Sequence, residues 1–272
     1  MMKQKRVGLI GCGAIGQAIV KSWAEAAVDG HSLAAILVRH RQLKEVRAMA
    51  PANTLVTGDR FEFLTQDLQV AVEVAGHAAV QDLGVEVLAR GIDLMLLSVG
   101  SLADEASLAR LRHASEQGGG RLRLPVGAIA GLDGLLALRR AGLTTVKYTS
   151  IKPPLSWQGT VAERQFDLAA IEQPTVIFSG IARDAAAQYP RNANLAAAVA
   201  LAGLGLDGTE VELIADPHVQ GNIGRIDAHS RYSSMSVEVS GQASASNPKT
   251  SEITGMSVLS SLANGESVVS FV

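Results

Sequence analysis

The clearest chemical signal in the chain is a cluster of three glycines near its start. Gly11-Cys12-Gly13-Ala14-Ile15-Gly16 has the spacing G-x-G-x-x-G, directly after the apolar run Val7–Ile10 and before a stretch with helical spacing. In that context Gly11 permits a tight turn and Gly13 lets a pyrophosphate approach the backbone. Gly16 lets the helix pack on the strand, and free N–H groups at the helix start face the phosphates. The chemistry predicted is dinucleotide binding, through Gly11, Gly13, Ala14, Ile15 and Gly16. Cys12 reads as a small filler, because no histidine stands near it in sequence.

Other candidates stand where apolar runs end. Leu33–Val38 is followed by Arg39-His40-Arg41, where an NAD-selective site usually carries an acid for the ribose hydroxyl. An arginine there suits a 2′-phosphate, so Arg39 predicts that NADP is accepted alongside NAD. Gly76-His77 and Ser98 stand at two further strand ends, where open α/β sheets bind ligands. His77 reads either as a base or as a histidine capping the next helix. Gly127-Ala128-Ile129-Ala130-Gly131 has too little side chain for acid–base work, but a flat ring could lie against it.

The elements that must position these residues follow two rhythms. Val7–Ile10, Leu33–Val38, Val70–Ala75 and Ile92–Val99 are apolar at nearly every position. They alternate with helical stretches at Ala14–Ala27, Arg41–Ala50 and Ala78–Ala89. A fifth unit follows, with helix Asp104–Gln117, a stop at Gly118–Gly120 and strand Arg121–Val126. Strands buried on both faces and joined by helices predict an α/β, doubly wound parallel sheet. After Gly131, Thr144–Ile151, Thr175–Ser179, Thr209–Ala215, Ile223–Ser230 and Met235–Val239 alternate apolar with polar residues. With helices Leu132–Arg140 and Asn194–Leu201 they predict a second, α+β domain with a largely antiparallel sheet. Asn247-Pro248-Lys249-Thr250-Ser251 reads as the start of a terminal helix, Glu252–Ala263. The expected division is 1–130 completed by 246–272, beside 131–245.

Composition narrows the function class. The 272 residues are 47 % hydrophobic and 18 % charged, enough for sizeable cores. A net charge of −2 and 4 % aromatics speak against a nucleic-acid partner. No apolar run has the roughly 18–20 residues of a membrane span. The single cysteine fits a reducing compartment. The basic N-terminal residues precede an apolar stretch cut at once by glycines, which argues against a signal peptide. A cytoplasmic location is expected, with no membrane partner and no metal.

Several stretches resemble the L-aspartate dehydrogenase family: IGCGAIG at 10–16, EVAGHAAV at 73–80, GAIAGLDGL at 127–135, KPPLSW at 152–157, YPRNANLAAA at 189–198 and NPKTS at 247–251. RGID…SVG at 90–100, LAGLGLD at 201–207 and ADP at 215–217 extend the likeness over nearly the whole chain. The resemblance implies a Rossmann-type nucleotide-binding domain closed by a C-terminal helix, beside an α+β domain that carries substrate and forms a homodimer. It implies interconversion of L-aspartate with iminosuccinate, then oxaloacetate and ammonia, using NAD or NADP, with a link to NAD biosynthesis. Ala128 and Asn194 fall where the family has two further contacts to the nicotinamide cofactor. An asparagine can both donate to and accept from a carboxamide, although it could equally cap a helix.

One position departs from the pattern. The family's catalytic histidine lies in an Asn-x-His motif shortly after Asp-Pro. Here Asp216-Pro217 is followed by Asn222-Ile223-Gly224, so glycine stands at the histidine position. His218 is the nearest substitute candidate; His229, five residues from Gly224, would face the other side of a strand. Lys152, Arg191, Arg225 and Lys249 are the cations available to hold the substrate's carboxylates. The alternatives are a dihydrodipicolinate-reductase-like enzyme or a catalytically weak NAD(P)-binding or sensing protein.

Overall fold

The computed structural model describes residues 4–244, 247–251 and 253–269, the side chains of 242–251 excepted. The chain divides into two compact units, one of residues 1–127 with 254–272 and one of residues 128–253.

In the first unit β1 (Lys5–Ile10), β2 (His31–Leu37), β3 (Leu55–Thr57), β4 (Val70–Glu73), β5 (Asp93–Leu96) and β6 (Leu122–Arg123) form one sheet. Its order is β3-β2-β1-β4-β5-β6, and every pairing is parallel. Strand order therefore reverses between β1 and β4, which is where such sheets open a crevice for ligands. Helices α1 (Ala14–Glu25), α2 (Leu43–Met49) and α3 (Glu105–Gly118) are among the connections. Ile19, Val20 and Trp23 of α1 pack with Val7, Leu9, Ile36 and Val72 of the sheet in one apolar cluster. Val258 and Leu262 of the terminal helix Ile253–Asn264 join it, so that helix closes the first unit.

The predicted strands Val70–Ala75 and Ile92–Val99 run too far. Both stop early because the buried Glu73 carboxylate accepts from the amides of Ala75, Gly76 and Ser98, which are thereby lost to strand pairing. Only Leu122–Arg123 of the predicted strand Arg121–Val126 pairs. The three-residue strand β3 and the short helix Arg60–Leu64 were too brief to show a period.

In the second unit helix α4 (Leu132–Arg140) precedes β7 (Leu143–Lys152) and β8 (Thr175–Ile181). Helices α5 (Ala182–Gln188) and α6 (Asn194–Ala202) lead to β9 (Glu210–Ala215), β10 (Gly221–Ser230), β11 (Ser234–Ser244) and β12 (Asn247–Ser251). The sheet order is β12-β11-β10-β7-β9-β8, antiparallel except for the β7–β9 pair. The stretch expected to start the terminal helix is thus a sheet strand, and Pro248 lies on its edge, where no ladder N–H is required. Buried Trp157 and Tyr189 meet edge to face, 6.1 Å between centroids. The alanine-rich face of α6 buries five alanines and Val199, small side chains that permit close packing.

Candidate active site

Two clusters carry candidate chemistry, one in each unit. In the first, Gly11 follows β1 with φ +95°, and a Cβ there would lie 2.7 Å from the Cβ of Ala75. Only glycine fits, in conformation and in space. Gly13 precedes α1 with no side chain capping the helix, and a Cβ on it would meet nothing within 4 Å. The first intrahelical bond runs from Gln17 N–H to the Gly13 carbonyl. The amides of Ala14, Ile15 and Gly16 therefore have no partner inside the helix, which is the requirement for holding a phosphate. A Cβ on Gly16 would meet the Gly11 carbonyl at 2.7 Å, which fixes how closely turn and helix approach. Gln42 donates to the Cys12 carbonyl and steadies the turn from the side of β2. The open space above Gly13 and the uncapped helix start fit a dinucleotide pyrophosphate.

Cys12 is buried, and burial pushes its thiol up to about 11, with the charge of Glu45 adding to the effect. It is no nucleophile at neutral pH. Arg39, His40 and Arg41 are exposed just past β2, with no acid among them. Gly76, not His77, is the cap of the helical turn His77–Ala79; its positive φ suits glycine there, and His77 is the turn's first residue. Ser98 lies at the end of β5, and its hydroxyl and amide both donate to Glu73. Glu73 is a site residue that sequence reading missed. It is 1 % exposed, its burial pushes the carboxyl up, and hydrogen bonds from Gly76, Ser98 and Ala75 oppose that shift.

The second cluster is built on one sheet face. Along β7 the buried positions include Tyr148, Ser150 and Lys152; along β10 they include Gly224, Ile226 and Ala228. Gly224 pairs with Ser150 on one side and Val239 on the other. His229 lies on the opposite, exposed face, as the period of two requires. A Cβ on Gly224 would stand 3.0 Å from Ile129 Cδ1 and 3.3 Å from the Tyr148 hydroxyl. A side chain at 224 must therefore displace the end of Ile129. Burial pushes the Tyr148 phenol far above its usual range, a bond with Ser150 pulling the other way.

The candidate cations separate. Lys152 is buried on the Gly224 face with its ammonium 5.3 Å from the Trp157 ring centroid. Arg225 points to the opposite face, ion-paired with Glu238 at 2.5 Å. Arg191 lines a cavity of about 500 Å³ with Arg164, Thr160, Tyr189 and Asn192. Asn192, also unforeseen, is buried with both amide atoms lacking a partner among the described residues. Asn194 is the first residue of α6; Ala193, not Asn194, is the cap. His218 is exposed on the turn between β9 and β10, its backbone N–H held by Asp216. The Lys249 side chain lies outside the described residues. Among the described residues no His, Cys, Asp or Glu cluster could hold a metal, and no helix is long and apolar enough to cross a membrane.

Comparison with known proteins covers both units. The family model for the C-terminal part of aspartate dehydrogenase matches residues 133–265, and that for the NAD-binding domain of homoserine dehydrogenase matches 11–125. An L-aspartate dehydrogenase of Cupriavidus necator is 41 % identical over 97 % of this chain and 98 % of its own length. One of Ralstonia pickettii is 42 % identical over the same shares. Among solved structures, an aspartate dehydrogenase of Thermotoga maritima superposes with a TM-score of 0.77 at 24 % identity, covering 99 % of this chain and 100 % of that one. That likeness extends the shared fold over both units.

Proposed function

The chain belongs to the L-aspartate dehydrogenase family, and from that premise we propose that it oxidises the CH–NH2 group of L-aspartate to iminosuccinate with NAD or NADP. The product hydrolyses to oxaloacetate and ammonia. The observation that carries the reading is the pairing of full-length relatedness with an intact, uncapped glycine turn at Gly11–Gly16. When bound, the nicotinamide supplies the hydride acceptor.

The chain's own residues have separate tasks. Ala14, Ile15 and Gly16 offer amides to the pyrophosphate, and Arg39 offers a cation to a 2′-phosphate. Gly76, His77 and Ser98 border the same crevice, while Ala128 and Asn194 contact the nicotinamide end, as the family resemblance implies. Lys152 holds a substrate carboxylate, its buried ammonium favouring a charged partner over water. Arg191 is the second candidate for that work, and Arg225 is the poorest because Glu238 already neutralises it. No imidazole at residue 224 receives the amine proton, so that proton leaves to solvent or through His218. Catalysis then rests on positioning, which suffices for hydride transfer at reduced speed. We further propose a homodimer, for which exposed Leu155 and Val176 offer apolar surface on the second unit, and a cytoplasmic location, which the single cysteine fits.

One observation favours a second reading. Ile129 and Tyr148 fill the space beside Gly224, which suits a cofactor-binding protein with weak turnover. Following cofactor reduction with L-aspartate at alkaline pH separates the two. Measurable turnover supports the dehydrogenase; tight cofactor binding with none supports the weak catalyst. Titration with both reduced cofactors tests Arg39. Arg39→Asp is expected to weaken NADPH binding about tenfold and leave NADH binding within about twofold.

A further inference from the structure

Glu73 is costly where it stands. A carboxylate removed from water must recover its solvation from fixed donors, and an apolar residue there would serve the core better. This one recovers part of it from four donors. Oε1 accepts from the amides of Ala75 and Gly76, each at 2.7 Å, and from the Ser98 hydroxyl at 3.0 Å; Oε2 accepts from the Ser98 amide at 3.1 Å. All four partners donate, so the arrangement suits the ionised form.

What the carboxylate holds is the rim of the crevice. Ala75 and Gly76 follow β4, Ser98 follows β5, and the two strands are neighbours in the sheet. Ala75 is also the residue against which a Cβ on Gly11 would collide, so the Glu73 bond to Ala75 braces the phosphate turn. Gly76 has φ +112° and nothing within 4 Å of a Cβ position, a backbone opened for close approach. In this sheet order the end of β2 serves the adenosine ribose, so the other nucleotide falls on the side of β4 and β5.

We propose that Glu73 is a positioning residue for the cofactor, its buried carboxylate locking the ends of β4 and β5 together and favouring the oxidised, positively charged nicotinamide over the reduced, neutral one. The inference rests on the dinucleotide-binding reading above. A purely structural staple would support both forms of the cofactor equally; a negative charge near the ring does not.

The test is binding of oxidised and reduced cofactor to the full chain, by calorimetry or by fluorescence of the reduced form. Glu73→Gln removes the charge and is expected to weaken the oxidised form more, shifting the affinity ratio about fivefold toward the reduced form. Glu73→Asp keeps the charge but cannot span both strand ends. It is expected to weaken both forms while holding the wild-type ratio. If Glu73→Gln does not fold, Glu73→Asp carries the test alone, and wild-type affinity for both forms overturns the proposal. Equal weakening of both forms by Glu73→Gln, or no weakening, also overturns it. A wild-type protein that binds neither form overturns the dinucleotide reading and this inference with it.

Discussion

The glycine turn of the first unit and the sheet face of the second are built on opposite plans. Around Gly11–Gly16 the working groups are backbone amides, and the residues are chosen for what they leave empty. Above Gly13 there is open space and at α1 an uncapped start, so the ligand completes the structure. Around Gly224 the working groups are side chains, and the space is filled. Tyr148, Ser150 and Lys152 line one face, and Ile129 presses to within 3.0 Å of where a Cβ would stand. The two glycines look alike in sequence and mean different things. Gly13 keeps a site open; Gly224 lets its neighbours close one.

Substitutions of these positions sharpen the contrast. A Cβ on Gly13 has no protein atom within 4 Å, so Gly13→Val should shift the melting temperature little, yet the side chain enters the space a pyrophosphate needs. Cofactor affinity is expected to fall about 100-fold or more, measured by titration beside a thermal melt. Near-wild-type affinity would show that the turn is not the phosphate site. Lys152 and Arg225 make the parallel comparison in the second unit. Lys152→Met is expected to lower kcat/KM for aspartate about 30-fold, as loss of a buried charged hydrogen bond does. Arg225→Ala, which breaks only an exposed ion pair, should change it less than about twofold. A larger effect at Arg225 than at Lys152 would reverse these roles.

The first plan was legible in sequence because it is local. Six consecutive residues contain the turn, the close approach and the helix start, and a strand pattern precedes them. Glu73 was hidden for the opposite reason. It stands between Val72 and Val74 in an apolar run, and only tertiary pairing reveals that it terminates two strands. The neighbours of Gly224 were equally hidden, since the register of β7 on β10 brings Tyr148 and Ser150 to it across more than seventy residues of chain. The family pattern identified the missing histidine but not the closing of its place. Asn247–Ser251 misled through local chemistry: an Asn-Pro pair suits a helix start, and pairing with β11 decided otherwise.

The filled space changes what restoring the imidazole should do. Gly224 has backbone freedom for any residue, but a Cβ at 3.0 Å from Ile129 Cδ1 forces that side chain to move. Ile129 adjoins Ala128, so its displacement also disturbs a proposed cofactor contact. Gly224→His alone is expected to cost about 1–3 kcal/mol of stability, as overpacking does, with a small gain in turnover. Combined with Ile129→Ala, which vacates the space, it should raise aspartate turnover about tenfold, a fraction of what general acid–base help supplies. Steady-state kinetics of both single variants and the double show whether the effects are additive. Additivity would mean that Ile129 does not occupy the place of the ring.

The smallest expected effect concerns the alkaline conditions under which amine oxidation is assayed. Cys12 lies inside the glycine turn, and burial raises its thiol from 9.0 to about 11, with Glu45 reinforcing the shift. A thiol whose folded value lies above its unfolded value binds its proton more tightly when folded. Its contribution to stability is therefore complete below pH 9 and is lost as pH rises toward 11. At pH 10 the loss should be about 1 kcal/mol, confined to the unit that holds the cofactor. Bound cofactor stabilises that unit by mass action and should mask the loss at saturation. Cys12→Ala keeps a small filler without the ionisation. Its denaturant midpoint, measured without cofactor between pH 8 and 10.5, should fall less steeply than that of the wild type. Identical slopes would mean that the thiol is not the group titrating.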